Sequence, residues 1–598
     1  MSVGAVAEDL AAVPLFAELA SEQLVRLAAA AEMRRLQAGE WLFHQGDRGD
    51  SLYVVTAGSI DLVAEQGAPT VVRTLGRAQC VGELAILTGE PRLFGARAHR
   101  DSELARVSRD DVEALLLAEP SFGLGLTRIL AERLRRGPAP ADNASAAPRI
   151  IALVALHASA PVQRLAGELA EALGGMGSLA RADPTDHPLP LSTLDRLESE
   201  HDRVLLVATS PSRDDAWTEF CLRQSDRVVA VASLRHDAHA MPVGERLRGC
   251  DLAWVGPAGV EPPLAGWMDA LDPRTTHIVR SGSQAGVRRM ARRLAGRSLG
   301  IVLSGGGARG VAHVGVIEEL QREGYEVDRI GGASMGGMVG SLFAEQRSAD
   351  ECMAVLDAEY VRTTPLAGRT IPLVALSRGL KGFAAQHRLH GERTIEGLDV
   401  NFYCVSADLA TQRLVVHRRG LVAVAVSATQ ALPAFVPPVR DGERLLIDGG
   451  VLNNLPVDPM VATGEGPVIA VDVSGALPAP RPPRSRLPFL RRWIVGPAAE
   501  WAPPITETLL RSILLGNVLT DAAARERAHA VIRPRLRGVP TMRFRDLEAI
   551  RRLGREAARE AIADGRLAAL EVSSPRDSTG GRTARRAVPG PPPAGVPD

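Results

Sequence analysis

Lysine is almost missing from this chain. Lys381 is the sole one among 70 lysines and arginines, and it sits in an ordinary Gly-Leu-Lys-Gly turn, so catalysis by a serine–lysine pair is nearly excluded. Cysteine is also scarce. Cys80, Cys221, Cys250, Cys352 and Cys404 are far apart, without the close pairs of a zinc site or the density of a disulfide framework, which points to a reducing compartment and no structural metal. No apolar run approaches the roughly 18 residues of a spanning helix. The most apolar region, 421–439, is broken by Ser427, Gln430 and three prolines. Residues 1–16 carry acids instead of a basic flank followed by an apolar stretch, so no cleaved signal peptide is expected. The expected location is the cytoplasm, at most peripheral to the inner face of a membrane. The formal net charge is +0, so no global field recruits nucleic acid, and none is expected as a partner.

At 598 residues and 45% hydrophobic composition, the chain has room for roughly three or four domains. Residues 14–136 hold short β-branched runs with glycine-rich turns, such as 51–56 and 58–63, followed by helical stretches at 110–117 and 122–134. That pattern predicts a β-roll with helices. Residues 137–148 are rich in proline, alanine and serine and read as a linker. In 149–280, apolar strands at 150–156, 204–208 and 228–232 alternate with helical segments, as in a parallel sheet. A second α/β unit spans 299–570. The proline-rich tail 571–598 is expected to be disordered.

Two glycine-rich turns carry the chemistry. The buried-type strand ending at Ser304 runs into Gly305-Gly306-Gly307-Ala308-Arg309-Gly310 and then a helix. Glycines between a strand and a helix let backbone N–H groups converge where the helix dipole is positive, which suits an oxyanion or, equally, a phosphate. The dinucleotide fingerprint is not met, because no acid follows at the required place. A second strand leads into Gly332-Ala333-Ser334-Met335-Gly336. Gly-x-Ser-x-Gly between strand and helix is the nucleophile elbow, in which small neighbours permit a strained turn that exposes the hydroxyl. A hydroxyl needs a base. Asp448, at the end of an apolar strand and before Gly449-Gly450, is the candidate, with burial raising its pKa. An ordinary Asp-Gly turn is the alternative.

Taken together, these three motifs, with Val451-Leu-Asn-Asn-Leu-Pro456 following the last, resemble the patatin-like phospholipases across about 299–570. The resemblance implies a Ser-Asp dyad without histidine: Ser334 attacks an acyl ester, Asp448 is the base, and the amides of the 305–310 loop hold the oxyanion. Tyr403–Leu409 and Leu432–Pro438 are also similar to the family and are expected to be scaffold and pocket wall. A Ser-Asp-His triad remains a formal rival, because His529 follows Asp448 in the order of an α/β-hydrolase. His313, on the helix after the first loop, is expected to be packing. A further rival is a catalytically silent regulatory protein on the same scaffold.

Near the N-terminus, Phe43-His-Gln-Gly-Asp-Arg-Gly49, Gly58, Gly82-Glu83-Leu84-Ala85 and Pro91-Arg92 resemble the cyclic-nucleotide-binding domain. In that reading the amides of 82–85 and the Arg92 fork hold a phosphate, and Glu83 accepts from a ribose hydroxyl. Leu93 and Phe94 replace the small residues usual after the arginine, so a cyclic nucleotide effector stands beside a structural or altered-ligand module. No required cofactor is expected. The middle unit lacks the glycines and lysine of a P-loop. The order of units resembles bacterial relatives of neuropathy target esterase, which act on lysophospholipids and similar fatty-acyl esters. Arg484–Ile494 interleaves arginines with Phe489 and Trp493, a pattern for peripheral membrane contact or for a solvated loop whose rings pack inward.

Overall fold

The computed structural model describes residues 3–13, 16, 19–66, 69–118, 147–184, 189–212, 215–233, 245–362, 374–474, 505–541, 544–568 and 570. The expected helix at 122–134, most of the linker, the 484–494 segment and the tail lie outside these residues. Among the described residues no helix is long and apolar enough to cross a membrane, and no cluster of His, Cys, Asp or Glu is arranged to hold a metal. All five cysteines are free and buried.

The β-branched runs of the first unit pair as two antiparallel four-stranded sheets. One has the order β1 (Glu32–Leu36), β8 (Ser102–Ser108), β3 (Ser51–Ala57), β6 (Cys80–Val81); the other β2 (Trp41–Phe43), β7 (Gly95–Ala98), β4 (Ile60–Ala64), β5 (Thr70–Leu75). Leu36, Val55, Ile60, Leu75, Ala96 and Leu104 fill the space between them. This is the expected β-roll. The sequence reading began the unit at residue 14, but the helix Val3–Ala11 already belongs to it: Leu10 is fully buried in its core, and Asp9 pairs with Arg77 at 2.7 Å.

The middle unit is a six-stranded parallel sheet in the order β10 (Leu179–Ala182), β11 (Arg203–Ala208), β9 (Ile150–Ala155), β12 (Arg227–Ser233), β13 (Asp251–Gly256), β14 (Thr275–Arg280). Its central strand β9 is buried at every position, as expected of a parallel strand covered on both faces. The helix Gln284–Leu294 then fastens this sheet to the next unit. Its Arg293 donates to Glu465 at 2.8 Å and Arg292 to Asp328 at 2.6 and 2.8 Å, while Arg280 donates to Asp399 at 2.8 Å. Burial would raise the Glu465 carboxyl, but the Arg293 guanidinium overrides it and holds it at about 2.

The C-terminal sheet has the order β19 (Val439–Asp441), β20 (Arg444–Asp448), β17 (Asn401–Asp408), β16 (Val327–Ala333), β15 (Leu299–Leu303), β21 (Val468–Val471), β22 (Ala530–Ile532), with β18 (Arg413–His417) also pairing with β17. Strands β15, β16, β17, β21 and β22 are parallel; β18 and β20 run against them, and β19, antiparallel to β20, points with them again. Register decides what meets. Along one edge of β17, Ala333 lies opposite Val405 and Asp448 opposite Ser406, while β18 pairs along the other edge. The end of β16 and the end of β20 therefore meet along one edge of that strand, which brings the residue after Ala333 beside Asp448. On a face of this sheet the helices Ala312–Arg322 and Leu547–Ala563 cross in direct backbone contact. A Cβ at Gly315 would collide with the Arg551 carbonyl, and one at Gly554 with that of Ala312, so glycine is required at both crossing points.

Candidate active site

Ser334 is the residue between β16 and the helix Met335–Ala344, with φ 51° and ψ −122°. For a residue with a Cβ this is a strained conformation, costing on the order of 1–3 kcal/mol, and it is sustained by close packing. A Cβ at Gly332 would strike the Gly336 backbone, and one at Gly336 the carbonyl of Leu303. The Ser334 amide donates to Thr429 Oγ1 at 2.9 Å, and that hydroxyl donates to the Val405 carbonyl at 2.6 Å. The turn is thereby tied to β17 itself.

Ser334 Oγ donates to Asp448 Oδ2 at 2.6 Å. The other carboxylate oxygen accepts the Gly450 amide at 2.8 Å. Burial raises the Asp448 pKa to about 6, with the two hydrogen bonds pulling it back. A carboxylate so placed is ionised at neutral pH yet basic enough to accept a proton.

The glycine loop contributes less than its whole length. The Gly305 amide donates to the Asn454 carbonyl at 3.1 Å, the Ala308 amide to Thr541 at 2.8 Å and the Arg309 amide to Gly306 at 3.2 Å. The Arg309 guanidinium turns away to the carbonyls of Val539 and Ser474, both at 2.9 Å. Ala308 and Gly310 are buried. Of the six residues expected to form an oxyanion hole, Gly306 and Gly307 keep amides with no acceptor among the described residues, and both line the cavity that holds Ser334 and Asp448. Gly307 has φ +54°, and a Cβ there would meet the Thr541 carbonyl.

That cavity measures about 1120 Å³ and is walled largely by apolar side chains, among them Leu380, Phe383, Leu432, Phe435, Val436 and Pro437. Such a volume accommodates a ligand the size of a lipid chain with its headgroup.

No histidine hydrogen-bonds Ser334 or Asp448 among the described residues. His529 is exposed and precedes β22, where its Nδ1 accepts the Val468 amide at 3.2 Å. Val468 opens β21, whereas Ser334 follows the far end of the parallel strand β16, so a strand length of about 13 Å separates the two edges. His313 is buried, bonded through Nε2 to the Ser304 carbonyl at 2.9 Å, and pushed down by burial to about 4. It packs, as expected.

Three supports were not legible as site residues. Thr429 is one. Asn454, in the stretch after the Asp448 loop, bridges the two loops, accepting through its carbonyl and donating through Nδ2 to the Gly305 carbonyl at 3.4 Å. Asn517, on the helix Ile505–Arg527, donates to the Gly450 carbonyl. One turn on, Asp521 is hydrogen-bonded to Asn454 and raised to about 6 by burial and by Asp472. The asparagines in the Asn-Asn pair were visible in sequence; nothing there assigned one of them to the glycine loop.

The N-terminal pocket is built differently. Gly82, at φ 91°, precedes the short helix Glu83–Thr88. Arg92, expected as a phosphate fork, is buried and donates to the carbonyls of Gly82 at 2.9 Å and Ser51 at 2.7 Å, with its guanidinium 4.2 Å above the Phe43 ring. Glu83, Leu84, Ala85, Leu93 and Phe94 line the remaining space of about 80 Å³.

Residues 301–461 match the patatin-like phospholipase family, and residues 33–119 match the cyclic nucleotide-binding domain. Fold and site thus define a patatin-like lipid ester hydrolase behind an N-terminal cyclic nucleotide-binding domain. The chain is 34% identical over 567 residues to an NTE family protein of Mycobacterium bovis, covering 92% of this chain and 95% of that one, and to the same degree to one of Mycobacterium tuberculosis. It belongs to the NTE family. It is also 27% identical over 556 residues to lysophospholipase nte1 of Neosartorya fischeri, a match covering 75% of this chain and 36% of that protein. Among solved structures, the catabolite activator protein of Thermus thermophilus is 27% identical over 27% of this chain and 70% of its own, with a TM-score of 0.20.

Proposed function

We propose that this chain hydrolyses fatty-acyl esters of the lysophospholipid type, with Ser334 as nucleophile and Asp448 as its base. The observation that carries the reading is the 2.6 Å hydrogen bond from Ser334 Oγ to a buried carboxylate inside a large apolar cavity. The name of the fungal relative, a lysophospholipase, agrees with it.

Asp448 takes the hydroxyl proton as Oγ bonds to the ester carbonyl carbon. The carbonyl oxygen becomes an oxyanion facing the Gly306 and Gly307 amides, donors of a kind whose loss costs about 10²–10³ in turnover. When the carbonyl re-forms, the bond to the alcohol oxygen breaks and Asp448 returns the proton to that oxygen, releasing the glycerol portion. Water then gives a proton to Asp448 and its oxygen to the acyl carbon, and Ser334 leaves with the proton restored. The apolar wall holds the chain through its buried methylenes, each contributing about 0.8 kcal/mol.

In the N-terminal domain, a cyclic nucleotide effector requires Arg92 to exchange two protein carbonyls for a phosphate and the pocket to open well beyond 80 Å³. An effector of that kind would therefore act by rearranging the turn at Gly82 and the end of β3.

The test is labelling with a fluorophosphonate probe followed by turnover on a lysophospholipid panel. Labelling that is lost in Ser334→Ala, with turnover lost in Asp448→Asn, is expected. An unlabelled wild-type protein would overturn the reading.

A further inference from the structure

The mouth of the catalytic cavity carries apolar side chains that the fold leaves in solvent. Exposure alternates along residues 374–377: Val374 and Leu376 are 73% and 38% exposed, while Ala375 and Ser377 are buried. The stretch is pinned to the cavity wall by hydrogen bonds from the Leu376 amide to Ala434 at 2.8 Å and from the Ser377 amide to Phe435 at 3.1 Å. At Gly379, φ 69°, the chain turns into the helix Leu380–His390. Its first turn displays Leu380, 70% exposed, and Phe383, 40% exposed, three residues apart on one face.

Cations are interleaved with these side chains. Arg378, Lys381, Arg440 and Arg545 border the same cavity and are exposed, and none has a carboxylate partner among the described residues. Besides Asp448, Glu359 is the acid that lines this cavity among the described residues, and it is itself 3.7 Å from Arg388. The chain as a whole is neutral, so this local excess is a feature of the rim and not of the composition.

We propose that this rim, Val374 to Phe383 with Arg440 and Arg545, is the surface on which the protein docks to an anionic phospholipid bilayer. Apolar side chains enter the acyl boundary while long cationic side chains reach lipid phosphates. The occupant follows from charge and continuity. Four cations without a carboxylate partner among the described residues call for an anionic plane, and the apolar rim continues through Leu380 and Phe383 into the cavity that holds Ser334, so a single-chain lipid passes from one apolar medium to another. The proposal rests on the hydrolase reading for its purpose, though its binding readout does not.

The full chain carrying Ser334→Ala is sedimented with phosphatidylcholine vesicles, with and without phosphatidylglycerol, and the parent chain is assayed on a soluble short-chain ester. Tighter binding to the phosphatidylglycerol vesicles is expected. Val374→Asp with Leu376→Asp should weaken it by about tenfold or more while soluble-ester turnover stays at the parent level. Should that pair fail to fold, Arg378→Gln with Lys381→Gln, both fully surface changes, decides the matter: the preference for phosphatidylglycerol should fall and neutral-vesicle binding persist. Unchanged binding in the apolar pair, equal affinity of parent and cation-less chain for anionic vesicles, or no sedimentation with either vesicle overturns the proposal. Vesicle binding without soluble-ester turnover in the parent overturns the hydrolase reading alone.

Discussion

The two pockets of this chain use glycine and arginine in opposite ways. At the catalytic end, Gly306 and Gly307 keep amides unspent beside a cavity of about 1120 Å³, and Arg309 is bound away behind the loop. At the N-terminal end, the arginine meant for a ligand is spent on Gly82 and Ser51, and about 80 Å³ remains. Both ends match their families in residue strings. What separates them is whether the donors are still free once the chain has folded, because a donor already satisfied must lose a bond before it gains a ligand.

The strongest way to break that contrast lies at the dyad. Asp448→Asn should lower turnover on a soluble ester by about 10⁴-fold, and His529→Ala by no more than about twofold; a comparable loss from the histidine would restore the triad. Next, Gly307→Ala should cost about 10²–10³ in kcat with the fold retained, read by steady-state kinetics and circular dichroism, because the new methyl meets the Thr541 carbonyl and shifts one oxyanion donor.

The pH profile sharpens the assignment further. The base works only when ionised, so kcat/KM should be level above about pH 6 and fall about tenfold per unit below it. Asp521 lies in the same range, so Asp521→Asn serves as the control. An inflection that survives that change belongs to Asp448.

The smallest effect is expected in the N-terminal domain. Arg92→Ala removes the guanidinium from the buried Ser51 carbonyl and the half-buried Gly82 carbonyl and should destabilise the domain by about 2–3 kcal/mol in denaturant unfolding, with soluble-ester turnover within about twofold. An arginine held in reserve for a phosphate would show little loss of stability.

The sequence carried the parts of this arrangement that are local. Gly332-x-Ser334-x-Gly336 and Asp448-Gly449-Gly450 are short strings whose steric demands are met by neighbours in the chain, and the alternation of strands and helices announced an α/β unit around them. Contacts made across the fold were not legible. Thr429 ends an apolar helix with no mark of function, and its role follows only from β16 and β17 lying side by side. The helix Ile505–Arg527 reads backwards: Asn517 and Asp521 face inward onto the catalytic loops, whereas Leu515 and Leu519 are 71% and 82% exposed. Hydrophobic periodicity assumes leucine inside, and here the inner neighbours are the Gly450 carbonyl and the Asn454 side chain. The fate of Arg92 was hidden for the same reason, since Ser51 is 41 residues away in sequence.

The meeting of β16 and β20 along one edge of β17 has a consequence for when serine and aspartate come together. The two residues are 114 positions apart, and side chains alternate between faces along a strand, so a one-residue slip of β20 sends the carboxylate to the opposite face. A misregistered chain carries the hydroxyl without the carboxylate beside it, and in the proposed mechanism it has no base. Enzymatic competence therefore arrives only with correct strand pairing, a safeguard written into the topology itself.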